Sequence, residues 1–305
     1  DLGYLPRVAF NLDRVFKACG THGKQVLTMC MGFGCNAAGV ISCRIIDSPR
    51  EKLIAVLTNN FVPCNGRFPT LIAIAMIFMG GALVLEKSTM LATIAVIGMI
   101  LIGITATLLV SLFLSKTLLR GIPSTFTLEI PPFRKPQVGK VIVRSIFDRT
   151  IFVLFRAMTV AAPAGIIIWL AANVYVGNTS ILAAAAAFLD PFARAIGLDG
   201  FILMAFILGL PANEIVLPIL IMAYLSTGAM VELDSIEEMG NLFLNHGWTW
   251  LTALCTMLFS LLHYPCGTTL LTIAKETKSI KWTLTAFLLP TTVAVLVCFC
   301  VAQTV

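Results

Sequence analysis

Three of the nine cysteines in this 305-residue sequence sit among helix-breaking neighbours. Cys35 lies in Gly32-Phe33-Gly34-Cys35-Asn36, Cys64 in Pro63-Cys64-Asn65-Gly66, and Cys266 in Pro265-Cys266-Gly267-Thr268. Glu214 is the one formal charge in Phe201–Thr227. Insertion scales put a mid-bilayer carboxylate at a cost of roughly 2.5–3.5 kcal/mol, so such a residue defaults to function. Thiolate, carboxylate and amide oxygen together suit a borderline divalent cation of the Fe2+, Mn2+ or Zn2+ kind, for which geometry decides selectivity more than affinity does. Bound metal would favour thiolate over thiol, whereas a calcium or magnesium site would want several carboxylates and carbonyls. Asn36 and Asn213 could either cap half-helices or present oxygens to the ion. His263, near Cys266, reads first as a polar contact within a helix bundle and second as a fourth ligand. No CxxC pair or zinc-knuckle spacing occurs. Cys255, Cys298 and Cys300 lie in smooth apolar runs, where a packed thiol is expected; for Cys19, Cys30 and Cys43 the sequence leaves the choice open, with packing favoured.

The elements that must position these residues are membrane helices. Charged residues number 36 (21 Lys and Arg, 15 Asp and Glu), hydrophobic residues make up 58%, and the mean hydropathy is +0.95. Soluble domains carry about 25% charge, so this composition excludes a soluble fold and predicts an all-α, polytopic helical membrane protein. The uncharged runs Phe68–Leu85, Ser88–Ser115, Ala157–Leu189 and Trp282–Val305 approach or exceed the ~20 residues a spanning helix needs. They lack the alternation of barrel strands, and backbone facing lipid must satisfy itself within helices. Met76–Met99 is expected to be an ordinary lipid-facing helix.

The net charge of +6 follows topology and is not a mark of nucleic-acid binding. Lys116–Arg156 carries eight cations against Glu129 and Asp148, which places it on the cytoplasmic side. The acidic stretch Glu232–Glu238 is then expected as an outer loop, and Lys275, Lys278 and Lys281 return inside. Arg44 and Arg67 are expected to anchor the cytoplasmic boundary. Leu128–Gln137 is Pro-rich and reads as a linker, followed by an interfacial amphipathic helix over Val138–Arg156. The expected division is 1–115, 116–156 and 157–305. The chain opens at Asp1 without an initiator Met and reads as part of a larger protein.

Two apolar segments are expected to break. Gln25–Cys43 is uncharged but centred on Gly32-Phe33-Gly34-Cys35-Asn36, which aligns with Gly209-Leu210-Pro211-Ala212-Asn213 in Phe201–Thr227. Both read as glycine, large apolar residue, helix breaker, small residue and asparagine, and each is followed by a Pro-Cys element. Paired broken segments are the mark of a duplicated transport fold with broken or re-entrant helices.

Gly32 to Ile74, GFGCNAAGVISCRIIDSPREKLIAVLTNNFVPCNGRFPTLIAI, resembles the first Gate region of FeoB-type ferrous iron transporters. Gly3–Arg14, Leu208–Leu220 and His263–Leu284 are similar to further family segments, in the family's order. The resemblance implies import of Fe2+ as the transported ion, in a bacterial inner membrane, without catalysis by this chain. It implies that Cys35, Cys64 and Cys266 are the Gate cysteines and that Glu214 is the glutamate of the second Gate. It also implies a cytoplasmic G domain and a small cytoplasmic accessory protein as partners, and a homo-oligomer as one assembly. The sequence departs from the family in having Asn213 where a lysine often precedes the glutamate. It also departs in lacking a phosphate loop: Gly20-Thr21-His22-Gly23-Lys24-Gln25 has the wrong spacing for one and offers no nucleotide site. A nucleoside or other small-solute carrier shares the architecture but would want polar residues for base and ribose in place of thiols. A non-transporting assembly subunit would use the breaks only for packing.

Overall fold

The structure is a computed structural model that describes residues 4–79, 87–121, 139, 143, 151–176, 179–229, 233 and 235–304. The Pro-rich linker, most of the expected amphipathic helix after it, and residues 232 and 234 of the acidic stretch lie outside the described residues. The described residues are almost wholly helical; their only strands are a two-residue hairpin, Tyr175–Val176 with Thr179–Ser180. The all-α expectation holds because uncharged backbone can be satisfied segment by segment only in helices.

Two helices behave as simple spans. Helix α6, Lys87–Lys116, contains a window of mean hydropathy 2.5, and α14, Ile280–Thr304, one of 2.4; only 22% of each window is buried. Exposed Ile94, Leu101, Leu109 and Phe113 on α6 are the surface that lipid would cover. A third candidate, Trp250–Thr277, is less apolar (1.3) and 67% buried, and it is interrupted at His263–Cys266 into α12, Trp250–Leu262, and α13, Gly267–Thr277. Pro265 explains the interruption, since its ring and missing N–H end a helix.

The uncharged run Ala157–Leu189 holds two helices: α7, Phe152–Asn173, ends before the hairpin, and α8, Ile181–Ala195, begins beyond it with Ser180 accepting from Ala183 N–H. This N-cap satisfies an orphan amide and marks a new start. Two expectations are corrected. Met76–Met99 is not one helix, because α5, Phe68–Phe78, stops short of α6 and Met99 is buried. Glu237 and Glu238 occupy no loop but the first turn of α11, Ile236–Asn245, where acidic side chains favour the positive helix end.

The chain folds as two compact units. The first comprises 1–64, 104–160 and 268–287. Its helices are α1 (Tyr4–Ala18), α2 (Gln25–Gly34), α3 (Asn36–Ser42) and α4 (Pro49–Thr58), with parts of α6, α7 and α14 and nearly all of α13. Phe16, Val26, Met29 and Val62 form a core against Val8, Phe33, Ile104 and Leu108. A buried polar tie crosses it: Gln25 Nε2 donates to Thr58 Oγ1 at 2.9 Å and to Ser111 Oγ at 3.3 Å. Such ties between apolar helices contribute roughly 0.6–2 kcal/mol each in membranes. The exposed Arg44 fork meets Glu276 at 2.6 and 2.9 Å, and this hydrogen bond raises the Arg44 pKa further. Lys24 likewise holds the exposed Asp47 carboxyl below its ordinary range.

The second unit comprises 65–103, 161–267 and 288–305. Helix α8 turns by 110° into α9, Gly200–Leu208, whose start is capped by Asp199 accepting from Ile202 N–H. Tyr224, on α10 (Val216–Leu225), donates to Asp199, and Trp248 Nε1 donates to Tyr224 Oη at 2.8 Å. Trp248 also stacks on Phe243 at 4.4 Å. Cys255 and Cys298 are packed thiols as expected, whereas Cys300 is exposed on the α14 face.

Candidate transport site

The first break lies in the first unit. Helices α2 and α3 are separated by the single residue Cys35, which is extended at φ −154° and ψ 125°. No side chain caps α3, unlike the starts at Ser180, Asp199 and Thr249, whose side chains accept from Ala183, Ile202 and Thr252. The Asn36 amide is engaged: with its nitrogen facing acceptors it donates to the carbonyls of Gly32 (3.2 Å) and Val62 (3.3 Å). The opposite orientation would place Nδ2 3.4 Å from Asn60 Oδ1, but the first satisfies both ends of the amide and is preferred.

Asn59, in the turn Asn59–Phe61 after α4, is the residue that sequence reasoning missed. Its Nδ2 donates to the Asn36 carbonyl at 3.1 Å. A Cβ on Gly32 would stand 2.9 Å from this amide and one on Gly39 only 2.5 Å, so the glycines on either side of the break exist to admit Asn59. Asn59-Asn60, two adjacent amides between Leu53 and Val62, was the available signal. Cys64 follows Val62 by two residues and is buried; Cys35 is half-buried.

The second break lies in the second unit. Helix α9 ends at Leu208, the chain turns through Gly209–Pro211, and a 3-10 turn, Asn213–Ile215, leads into α10. Ala212, aligned with Cys35, has φ −151° and ψ 125°. Two dihedrals reproduced at the aligned position support the duplication read from the glycine-to-asparagine pattern. Asn213 is buried, while Glu214 is exposed with its side chain against Gly66, where a Cβ would come within 2.9 Å of Cγ and 3.0 Å of Oε1.

Cys266 is brought to this break by its neighbour, since Gly267 N–H donates to the Leu210 carbonyl at 2.6 Å. His263 is a polar contact within the bundle: its Nδ1 donates to the Phe259 and Ser260 carbonyls at 2.9 Å each, and its ring packs on Phe206 and Phe259.

Arg67 overturns its expectation. It is fully buried, donating from Nη1 to the Leu261 carbonyl at 2.8 Å and from Nη2 to those of His263 and Tyr264 at 3.2 and 3.1 Å. Helix α12 stops before Pro265 and leaves its last carbonyls without helical partners. A cation there meets both those acceptors and the negative helix end. Three stretches therefore meet within the second unit: Gly66-Arg67, Leu210–Glu214 and Leu261–Gly267.

Cys35, Asn36 and Cys64 thus belong to one unit, and Asn213, Glu214, His263 and Cys266 to the other. Among the described residues, no three His, Cys, Asp or Glu side chains converge to hold a metal. No disulfide joins any of the cysteines.

The Gate family, described as nucleoside recognition, matches residues 1–79 and 154–280, and a family described as ferrous iron transport protein B C terminus matches 96–148. The Fe(2+) transporter FeoB of Staphylococcus aureus is 29% identical over 308 residues, covering 98% of this chain and 43% of that protein. The Fe(2+) transporter FeoB of Methanocaldococcus jannaschii is 28% identical over 94% of this chain and 42% of its own length. A fusion of Fe(2+) transport protein A with FeoB from Porphyromonas gingivalis is 24% identical over 98% of this chain and 40% of that protein. The chain therefore spans less than half the length of these relatives. No solved structure matches it.

Proposed function

Because this chain belongs to the Gate family and corresponds to the C-terminal membrane part of FeoB-type transporters, we propose that it forms the pathway by which Fe2+ crosses the inner membrane into the cytoplasm. The observation that carries this reading is the pair of uncapped helix breaks with matching backbone at Cys35 and Ala212. Conduction needs binding strong enough to replace water yet weak enough to release. Thiols at Cys35, Cys64 and Cys266, the Glu214 carboxylate and the Asn213 amide supply such donors, with Asn36 bracing the first break through the Gly32 and Val62 carbonyls and His263 holding the α12 end in shape. Entry is from the acidic side of Glu237 and Glu238, and exit is toward the basic 116–156 segment, which divides 1–115 from 157–305 and faces a cytoplasmic G domain.

A small cytoplasmic accessory protein fits the fused relative, whose name joins Fe(2+) transport protein A to the transporter. The chain's own part is transport, and nucleotide chemistry belongs to the G domain. The Gate family's description also favours a second reading, a nucleoside carrier. Uptake of labelled Fe2+ into proteoliposomes, with labelled uridine and adenosine in parallel, separates the two. Fe2+ uptake that falls in Cys35→Ser, Cys64→Ser and Glu214→Gln supports the pathway, whereas nucleoside uptake without Fe2+ uptake refutes it.

A further inference from the structure

The Asn59 side chain is 1% exposed, and its Oδ1 meets no hydrogen-bond donor. In the first unit its Nδ2 is spent on the Asn36 carbonyl, and the amide stands between Gly32 and Gly39, one on each half-helix. Asn36, the amide expected to offer oxygen here, donates from its nitrogen to the Gly32 and Val62 carbonyls, and the other end of its amide faces the Asn60 side chain. In the second unit Asn213, the residue aligned with Asn36, has a buried Oδ1 that also meets no donor. A buried acceptor without a donor is rare and calls for an explanation such as a water or an ion. An amide oxygen accepts a divalent cation without carrying charge into the bilayer, so it binds more weakly than a carboxylate and releases more readily.

We propose that Asn59, rather than Asn36, is the oxygen donor for a partly dehydrated divalent cation at the first break, as Asn213 is at the second. This rests on the transport reading above and names a residue that reading did not contain. The glycines then have a functional meaning: they let the amide reach the gap between two half-helices.

The test is equilibrium binding of labelled Fe2+ under anaerobic conditions to the reconstituted chain, with Asn59→Ala, Asn59→Leu and Asn59→Asp. Each variant is first checked for monodisperse elution, and the near-isosteric, oxygen-free Asn59→Leu stands in where Asn59→Ala does not fold. Loss of the donor oxygen should weaken Fe2+ binding about tenfold or more in Asn59→Ala, the scale seen when a metal site loses supporting contacts. Asn59→Asp keeps an oxygen but loses the N–H that meets Asn36, so it should recover or exceed wild-type binding and admit Ca2+. A residue that only latches the break would be harmed alike by Ala and Asp, since both lack that N–H. Equal losses in both, or no loss in either, overturn the assignment while wild-type Fe2+ binding keeps the transport reading intact. Wild-type protein that binds no Fe2+ overturns both.

Discussion

The two helix breaks share a backbone and differ in chemistry. Cys35 and Ala212 are extended to within a few degrees of each other, yet one position carries a thiol and the other a methyl group. The first break is a cut of one residue, filled by an amide from a separate turn; the second is spread over Gly209–Ala212 and followed by a 3-10 turn that displays Glu214. The two breaks thus share an interruption but not its side chains: Cys35 and Cys64 belong to the unit of the first, Glu214 and Cys266 to that of the second. On the transport reading proposed above, a shared backbone with different side chains suits an ion that must exchange ligands as it moves.

Four substitutions test this comparison. The largest effect belongs to Arg67→Ala, which removes a buried guanidinium from three carbonyls at the α12 end. A loss of at least about 3 kcal/mol is expected, read as a lower midpoint of thermal unfolding in detergent, with Arg67→Lys recovering only part because it lacks the planar fork. Gly39→Ala comes next: the new Cβ would sit 2.5 Å from the Asn59 amide, and overpacking of this kind costs about 1–3 kcal/mol. Its partner experiment, Gly39→Ala with Asn59→Ala, should regain stability, since the clash then has no second atom. Gly66→Ala acts on the other break by displacing Glu214, with contacts at 2.9 and 3.0 Å. A smaller stability loss is expected there, about 1 kcal/mol, together with a change in Fe2+ flux. The smallest effect is Arg44→Ala, which breaks an ion pair exposed on the arginine side and should change stability by less than about 1 kcal/mol, less still at high salt.

Much of this was legible in the residues. Gly32-Phe33-Gly34-Cys35-Asn36 and Gly209-Leu210-Pro211-Ala212-Asn213 announced both breaks, because glycine and proline act on the backbone within a turn of where they stand. The simple spans α6 and α14 were equally plain, since length without charge is a local property. Within the uncharged run Ala157–Leu189, hydropathy does not reveal where one helix stops and the next starts, whereas the Ser180 cap does. Arg67 was misread because an arginine beside an apolar run normally reaches outward, and nothing near it in sequence signals carbonyls almost two hundred residues away.

Composition and local pattern, then, determined that this chain is a helical membrane protein with two interrupted segments, since lipid punishes charge and unsatisfied backbone regardless of what lies elsewhere. Which amide fills the first gap, which glycines face it, and which helix end receives Arg67 were decided only by tertiary structure. Those facts depend on groups meeting across long stretches of chain, and a hydrogen bond is made by distance in space rather than in sequence.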